Sequence, residues 1–329
     1  MKKNNIKSIL SKYGIVLVLV LLVGFLAIKY PNFRKPSNLM NCLLQACIFG
    51  ILALGMTFVI IGKGTDLAVG STLALCAVVC ASFGQLPNAA NRPLGGIIPT
   101  FDNVFVSVIA ALLMGVIIGL INGSFIAFTN IPAFIATLGM QTIARGFALL
   151  YSNGQPVSQL IPGFKVIGQG KVFGFLPVPV LIYLICIIVS WILLNNTQFG
   201  KRVYAIGGNI QAAEVSGINV KKMILLINAY MGLLAGVAAI VFVGRTQSAH
   251  PGAATGYELT AIASTTIGGT SQSGGIGTIW GAVVGALIFS VLRNGMTIAG
   301  VPAYWQQIVE GLVVIVGVII DMRKNARKK

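Results

Sequence analysis

The sequence predicts an all-α polytopic membrane protein with about ten transmembrane helices, including broken or re-entrant segments, arranged as an inverted internal repeat. Three observations carry this prediction. Charge is scarce: 23 Lys and Arg and 6 Asp and Glu in 329 residues make 9% charged, against roughly 25% in a soluble domain. Apolar runs long enough to cross a hydrocarbon core of about 30 Å recur along the chain. The charges are also segregated, with four Lys and no acid in residues 1–12 and five Lys or Arg with one acid in residues 321–329. A soluble enzyme, a disordered chain and a disulfide scaffold are excluded. The net charge of +17 belongs mainly to basic ends at a membrane surface, so no nucleic-acid partner is expected.

The first apolar run, 14–28, follows Lys2, Lys3, Lys7 and Lys12. No small-x-small cleavage site follows it, so a retained span is expected rather than a signal peptide. Runs 39–62, 104–128, 132–151, 178–194, 223–243, 278–299 and 304–320 can each cross the bilayer. Segments 67–84 and 259–269 are apolar but rich in small residues; the second is too short for a plain span and suits a re-entrant helix. Ten crossings place both basic termini on the cytoplasmic side. Segment 195–222, with Lys201, Arg202, Lys221 and Lys222, then falls inside as well. Lys29, Arg34 and Lys35 fall outside and are expected to snorkel. The outer segment 152–177 carries five Gly and three Pro and reads as irregular structure. The chain is thus one transmembrane domain, 1–329: tail 1–12, six spans in 13–194, a cytoplasmic loop 195–222, four spans in 223–320 and tail 321–329.

The five cysteines form no metal or redox pattern and read as small buried apolar residues. His250 is the only histidine, and alone it argues for a loop role rather than catalysis. No metal site is expected.

Two halves of the chain share an order of features, as in many transporters. Asp66-Leu67 and Glu258-Leu259 each open a small-residue segment. Gly115, Gly119 and Gly123 notch the following span in one half, and Gly277, Gly281 and Gly285 do so in the other. Ile131-Pro132-Ala133-Phe134 then matches Val301-Pro302-Ala303-Tyr304. Glycine at every fourth position leaves a groove on one helix face for close helix packing. An ionised group at mid-bilayer costs at least about 2.5–3.5 kcal/mol, so Asp66, Arg145, Glu258, Arg293 and Glu310 are expected to be paired, dipole-stabilised or beside a cavity. Asp66 and Glu258 lie at segment starts, where a helix dipole favours an anion. Arg145, deep in its span, is expected to pair with a carboxylate.

Gly-Lys occurs at Gly62, Gly170 and Gly200, but no Ser or Thr follows, so no Walker A loop is present. The chain binds no nucleotide cofactor of its own. The cytoplasmic segment FGKRVYAIGGNIQAAEVSGINVKK contains Asn209 as N-cap, two helical turns over 210–216, and Gly217 as the residue past the end. That is a short rigid peg.

Gln211-Ala212-Ala213 followed by Gly217 resembles the Glu-Ala-Ala-x-x-x-Gly loop of ABC-importer permeases, with Gln211 where the general motif has Glu. GKGTDLAVGS, NIPAFIATLGMQTIARGFALLYSNGQPV, FGKRVYAIGGNIQAAEVSGINV, TGYELTAIAS, IGGTSQSGGIGTIWGAVVGALI and NGMTIAGVPAYWQQIVEGLVV resemble the monosaccharide permeases of the ribose, galactose and xylose type, within the branched-chain amino-acid/ribose permease superfamily. The resemblance covers nearly everything from about residue 30. It implies a homodimeric, non-catalytic permease subunit in a bacterial cytoplasmic (inner) membrane. It also implies a cytoplasmic ATPase that holds ATP and Mg, and an extracytoplasmic sugar-binding protein. Asn209, Gln211, Ala212, Ala213, Glu214 and Gly217 would form the coupling helix to that ATPase. Few polar groups would line the pathway; Asn122, Thr137, Gln141, Arg145, Asn294, Gln306 and Gln307 are the candidates, with Phe134 and Trp305 as apolar walls and lipid around the whole. The sugar expected is ribose first, then galactose or xylose. An ion-coupled secondary transporter of a small neutral solute is the alternative, with Asp66 and Glu258 as its only plausible acid pair. A membrane-embedded enzyme lacks any nucleophile and base set.

Overall fold

A computed structural model describes residues 2–326. Its helices are α1 (Lys2–Lys29), α2 (Pro36–Ile61), α3 (Val69–Phe83), α4 (Val104–Thr129), α5 (Ala133–Ser152), α6 (Gly163–Gln169), α7 (Val178–Asn196), α8 (Gln198–Gly208), α9 (Ile210–Val215), α10 (Val220–Thr246), α11 (Tyr257–Ile267), α12 (Ile279–Ile298) and α13 (Ala303–Ala326). A two-stranded hairpin, β1 (Lys171–Val172) and β2 (Leu176–Pro177), precedes α7. Among the described residues, seven helices (α2, α4, α5, α7, α10, α12 and α13) are long and apolar enough to span a membrane. The apolar part of α1 (Gly14–Lys29), α3 and α11 are shorter. Together these match the ten apolar segments expected from the sequence, three of them on helices shorter than a plain span.

The segment expected to be irregular, 152–177, is partly ordered instead. Its Gly-rich stretch forms α6 and the hairpin, because Gly168 lets α6 press against the backbone of Gly244 in α10. Segment 195–222 likewise holds a second helix, α8, ahead of the peg.

The helix α2 forms the centre of the molecule. Gly50 admits the Tyr183 ring of α7, and Gly55 admits Met231 of α10. Ala53 meets Ala282 and Ala286 of α12. Phe58 packs between Phe199 and Tyr230, with ring centroids at 5.8 and 4.9 Å. Small residues thus set the helix spacing, as expected where lipid supplies no hydrophobic drive between helices.

The inverted repeat is visible in the pairing of elements. Helices α3 and α11 meet at their N-termini: Gly70 of α3 lies against the Ala254 carbonyl and the Glu258 carboxylate. Their C-terminal ends part. The end of α3 joins Phe101, Ile161 and Phe164, whereas the end of α11 joins the loop 268–278 beside α8. Gly115 and Gly119 of α4 interlock with Gly232 and Asn228 of α10. The two glycine triplets share a spacing but not equivalent neighbours. Gly281 and Gly285 face Gly268 and Ser264 of α11, and Gly277 lies before α12 begins. The contact equivalent to α4 with α10 is made by alanine, Ala282 and Ala286 on Ala53. Pro132 and Pro302 do correspond, each directly preceding a helix, α5 and α13.

Candidate functional site

Two places gather the residues singled out from sequence: the junction of the short helices and the face that carries α9.

At the junction, Asp66 and Glu258 are both buried. Asp66 Oδ1 accepts from the Ala68 amide at 2.8 Å. Glu258 Oε1 accepts from the Gly256 amide at 3.2 Å and from Gln141 Nε2 at 3.3 Å. Each acid thus satisfies donors exposed at a helix start, where the dipole also favours negative charge. Glu258 Oε2 is buried without a hydrogen-bond partner.

The helix α5 reaches this junction through one ladder of side chains four residues apart. Thr137 Oγ1 donates to the Thr65 carbonyl at 3.3 Å, Gln141 holds Glu258, and Arg145 Nη1 donates to the carbonyls of Pro251 and Ala253 at 2.6 and 2.7 Å. The expected Arg145–carboxylate pair is therefore not formed; two backbone carbonyls of the loop leading into α11 take its place. A loop carbonyl fits here because the turn before α11 has no helical donors of its own. Among the described residues the ion pair is Arg293 Nε with Glu310 Oε1 at 3.5 Å, and Arg293 also lies over the rings of Phe49 and Tyr257.

The remaining pathway candidates are placed as follows. Asn122 is buried, and with Asp66 it lines a small gap between α3, α4 and α10; its Oδ1 is unpartnered. Asn294 and Asn38 exchange amide bonds at 2.9 and 3.0 Å, tying α12 to α2. Gln306 donates to Thr297 Oγ1 and the Val301 carbonyl, closing the α12–α13 turn. Phe134, Trp305 and Gln307 are exposed, and so is the face of α5 opposite its polar ladder, including Leu138, Gly139 and Thr142. His250 Nδ1 accepts from the Gly252 amide at 2.9 Å, a turn contact.

On the other face, the Asn209 side chain caps α9 by accepting from the Ala212 amide at 3.0 Å. Gly217 at φ +81° ends the peg, a left-handed position that glycine takes without strain. Ala213 is buried, whereas Gln211, Ala212, Glu214 and Val215 are exposed, Val215 to 91%. An apolar side chain held that bare on a helix pinned at both ends offers a contact to another molecule.

Sequence reasoning missed the links behind this peg. Tyr204 Oη of α8 donates to the Gly277 carbonyl at 2.7 Å. Gly207 packs on the Ile61 carbonyl and on Gly275, and the Gly275 amide donates to that same Ile61 carbonyl at 2.9 Å. Asp321 of α13 accepts from Ser271 Oγ and the Gln272 amide. Thus α9 is joined through α8 to the loop that connects α11 with α12, and on to α13. The signal was available: Phe199, Val203 and Ile206 recur at helical spacing. Burial raises the Tyr204 hydroxyl above its ordinary pKa of 10.0, so it stays a neutral donor.

Comparison with known proteins agrees with this layout. The family described as branched-chain amino acid transport system / permease component matches residues 38–318. The ribose import permease protein RbsC of Escherichia coli strain K12 is 40% identical over 323 residues, covering 97% of this chain and 96% of that protein. RbsC of Bacillus subtilis strain 168 is 38% identical over 327 residues, covering 99% and 97%. The galactose/methyl galactoside import permease protein MglC of E. coli strain K12 is 37% identical over 337 residues, covering 100% and 99%. No solved structure matches the chain. With seven span-length apolar helices, an opposed pair of shorter ones and these full-length relatives, the chain belongs to the family of permease components of branched-chain amino acid transport systems.

Proposed function

We propose that this chain is the membrane-spanning permease subunit of an ATP-driven importer that moves a monosaccharide into the cytoplasm. Ribose is the first candidate, ahead of galactose and xylose, because ribose and galactose permeases resemble the chain over its full length. The observation that carries the mechanism is α9: a capped, exposed helix anchored on the ends of α8 and α10. A separate ATPase, holding ATP and Mg, would dock on it through Gln211, Ala212, Glu214 and Val215. Closure of that motor would push α9, and Tyr204 and Gly207 would pass the motion to the α11–α12 loop. The junction of α3 and α11 would then move against α5 through Thr137, Gln141 and Arg145.

In this reading the permease pairs with a second copy, and the exposed face of α5 supports such a partner or a pathway wall. An extracytoplasmic sugar-binding protein delivers the substrate, and both termini and α9 lie on the cytoplasmic side of a bacterial inner membrane. The chain itself catalyses no bond change. Co-purification tests the reading: the intact chain should retain an ATPase subunit, and removal of 209–217 should release it. Undiminished retention after that deletion would refute the role of α9. ATP-dependent uptake of radiolabelled ribose, galactose and xylose into proteoliposomes with the cognate binding protein identifies the sugar.

A further inference from the structure

We propose that a cavity beyond the N-terminus of α11 is a transient subsite for a neutral monosaccharide entering the membrane. It rests on the reading above of the chain as a sugar-import permease. The cavity measures about 310 Å³ and lies between α2, the end of α10 farthest from α9, and the first residue of α11. That is the lower end of the range for small-molecule pockets, about 300–1,000 Å³. It exists because α11 has eleven residues, which fill about half a bilayer column at 1.5 Å per residue.

Its lining suits ring hydroxyls. Arg245 donates from Nη1 to the Leu44 carbonyl at 3.1 Å, which leaves the rest of its guanidinium for a ligand. The Gln45 amide and the Tyr257 hydroxyl, both half-buried, also line the cavity. Arginine and amide side chains offer planar paired donors, and the amide adds an acceptor. Phe242 and Tyr257 supply apolar ring faces, and Tyr257 is held edge-on against the buried Phe49 at 5.0 Å. The neighbouring Arg293 is already matched with Glu310, so a single unmatched cation faces the cavity. This set favours a polyol that both donates and accepts over an anion needing several cations. The cavity floor, Tyr257, is adjacent in sequence to Glu258, which Gln141 grips. An occupant therefore sits one residue from the joint between α11 and α5.

The test uses Thr246→Cys at the exposed rim, and Gln45→Cys as a second position, each in the complex with ATPase and binding protein. A small thiol reagent is applied, and mass spectrometry separates these sites from the five buried native cysteines. Excess ribose, galactose or xylose, whichever the wild-type complex imports, should slow labelling; glycerol and inorganic phosphate should not. Arg245→Ala and Gln45→Leu should lower uptake about tenfold, the equivalent of one ligand hydrogen bond, while ATPase stimulation by the binding protein stays at the wild-type level. Labelling that ignores an imported sugar overturns the subsite while leaving the permease reading intact. Equal slowing by phosphate or glycerol also overturns it. A wild-type complex that imports no sugar instead defeats the permease reading itself.

Discussion

Replacing Gly115 by Ala probes a backbone-to-backbone helix crossing, that of α4 with α10. A Cβ there would overlap the Gly232 carbonyl oxygen, lie 3.0 Å from its carbon and 3.2 Å from the Gly236 nitrogen. All three atoms are backbone, so no side chain can swing aside. Ordinary contact begins at 3.4 Å, and the carbonyl oxygen demands the larger shift, so α4 and α10 must separate. Overpacking of this kind costs about 1–3 kcal/mol, against a helix-propensity gain of at most about 1 kcal/mol for Ala over Gly. Gly24→Ala in α1 is the control, since nothing lies within 4 Å of its Cβ position; it should keep or raise stability. The double variant Gly115→Ala with Gly232→Ala should cost less than the sum of the two, because one separation relieves both clashes. Reversible unfolding in mixed detergent micelles reads the wild type, the three single variants including Gly232→Ala, and the double variant. If Gly115→Ala unfolds with the wild type, or Gly24→Ala loses as much, the backbone-contact reasoning is wrong.

Arg145→Gln removes two charge-assisted bonds to loop carbonyls. It should destabilise by about 1.5–3 kcal/mol and depress uptake, with partial recovery in Arg145→Lys; normal uptake by Arg145→Gln would refute the role. Asn209→Ala deletes the α9 cap and should cost about 1 kcal/mol locally, seen as faster amide exchange in 210–215 and weaker ATPase retention. Tyr204→Phe should leave the Gly277 carbonyl unpaired for about 1 kcal/mol, and should lower uptake per ATP hydrolysed more than it lowers ATPase retention. The raised Tyr204 pKa sets a pH window: its contribution is complete below the ordinary tyrosine value of about 10 and declines as pH climbs towards the folded value. Melting curves at neutral and alkaline pH should show the wild type losing more of its margin over Tyr204→Phe at high pH.

Much of this arrangement was legible before any coordinates. Composition and run length give the membrane class and the positions of its seven span-length helices. The cap at Asn209 and the glycine at Gly217 fix the peg to within a residue, because both signals are local. The acid pair and the prolines mark the repeat, since helix starts need particular residues. What was not legible depends on distant backbone. Arg145 chose carbonyls over a carboxylate because a loop more than a hundred residues away folds against it. Asn294 and Gln306 look like pathway groups by residue type, yet Asn38 and Thr297 occupy them. The second glycine triplet has the same spacing as the first but a different neighbour, and spacing alone names no neighbour.

The helix at the centre also has a history during synthesis. The apolar window of α2 is 89% buried, yet its partners α10 and α12 arrive late: Leu44 waits 201 residues for Arg245, and Cys42 waits 248 for Ser290. At about 5–20 residues per second, α2 spends about ten seconds or more with lipid where protein will later be. Its side chains must suit both surroundings in turn, and its buried face is accordingly almost wholly apolar, from Ala46 and Ala53 to Phe49 and Phe58. A nascent chain halted before α10 would carry an open groove along α2, the surface on which membrane quality control would act.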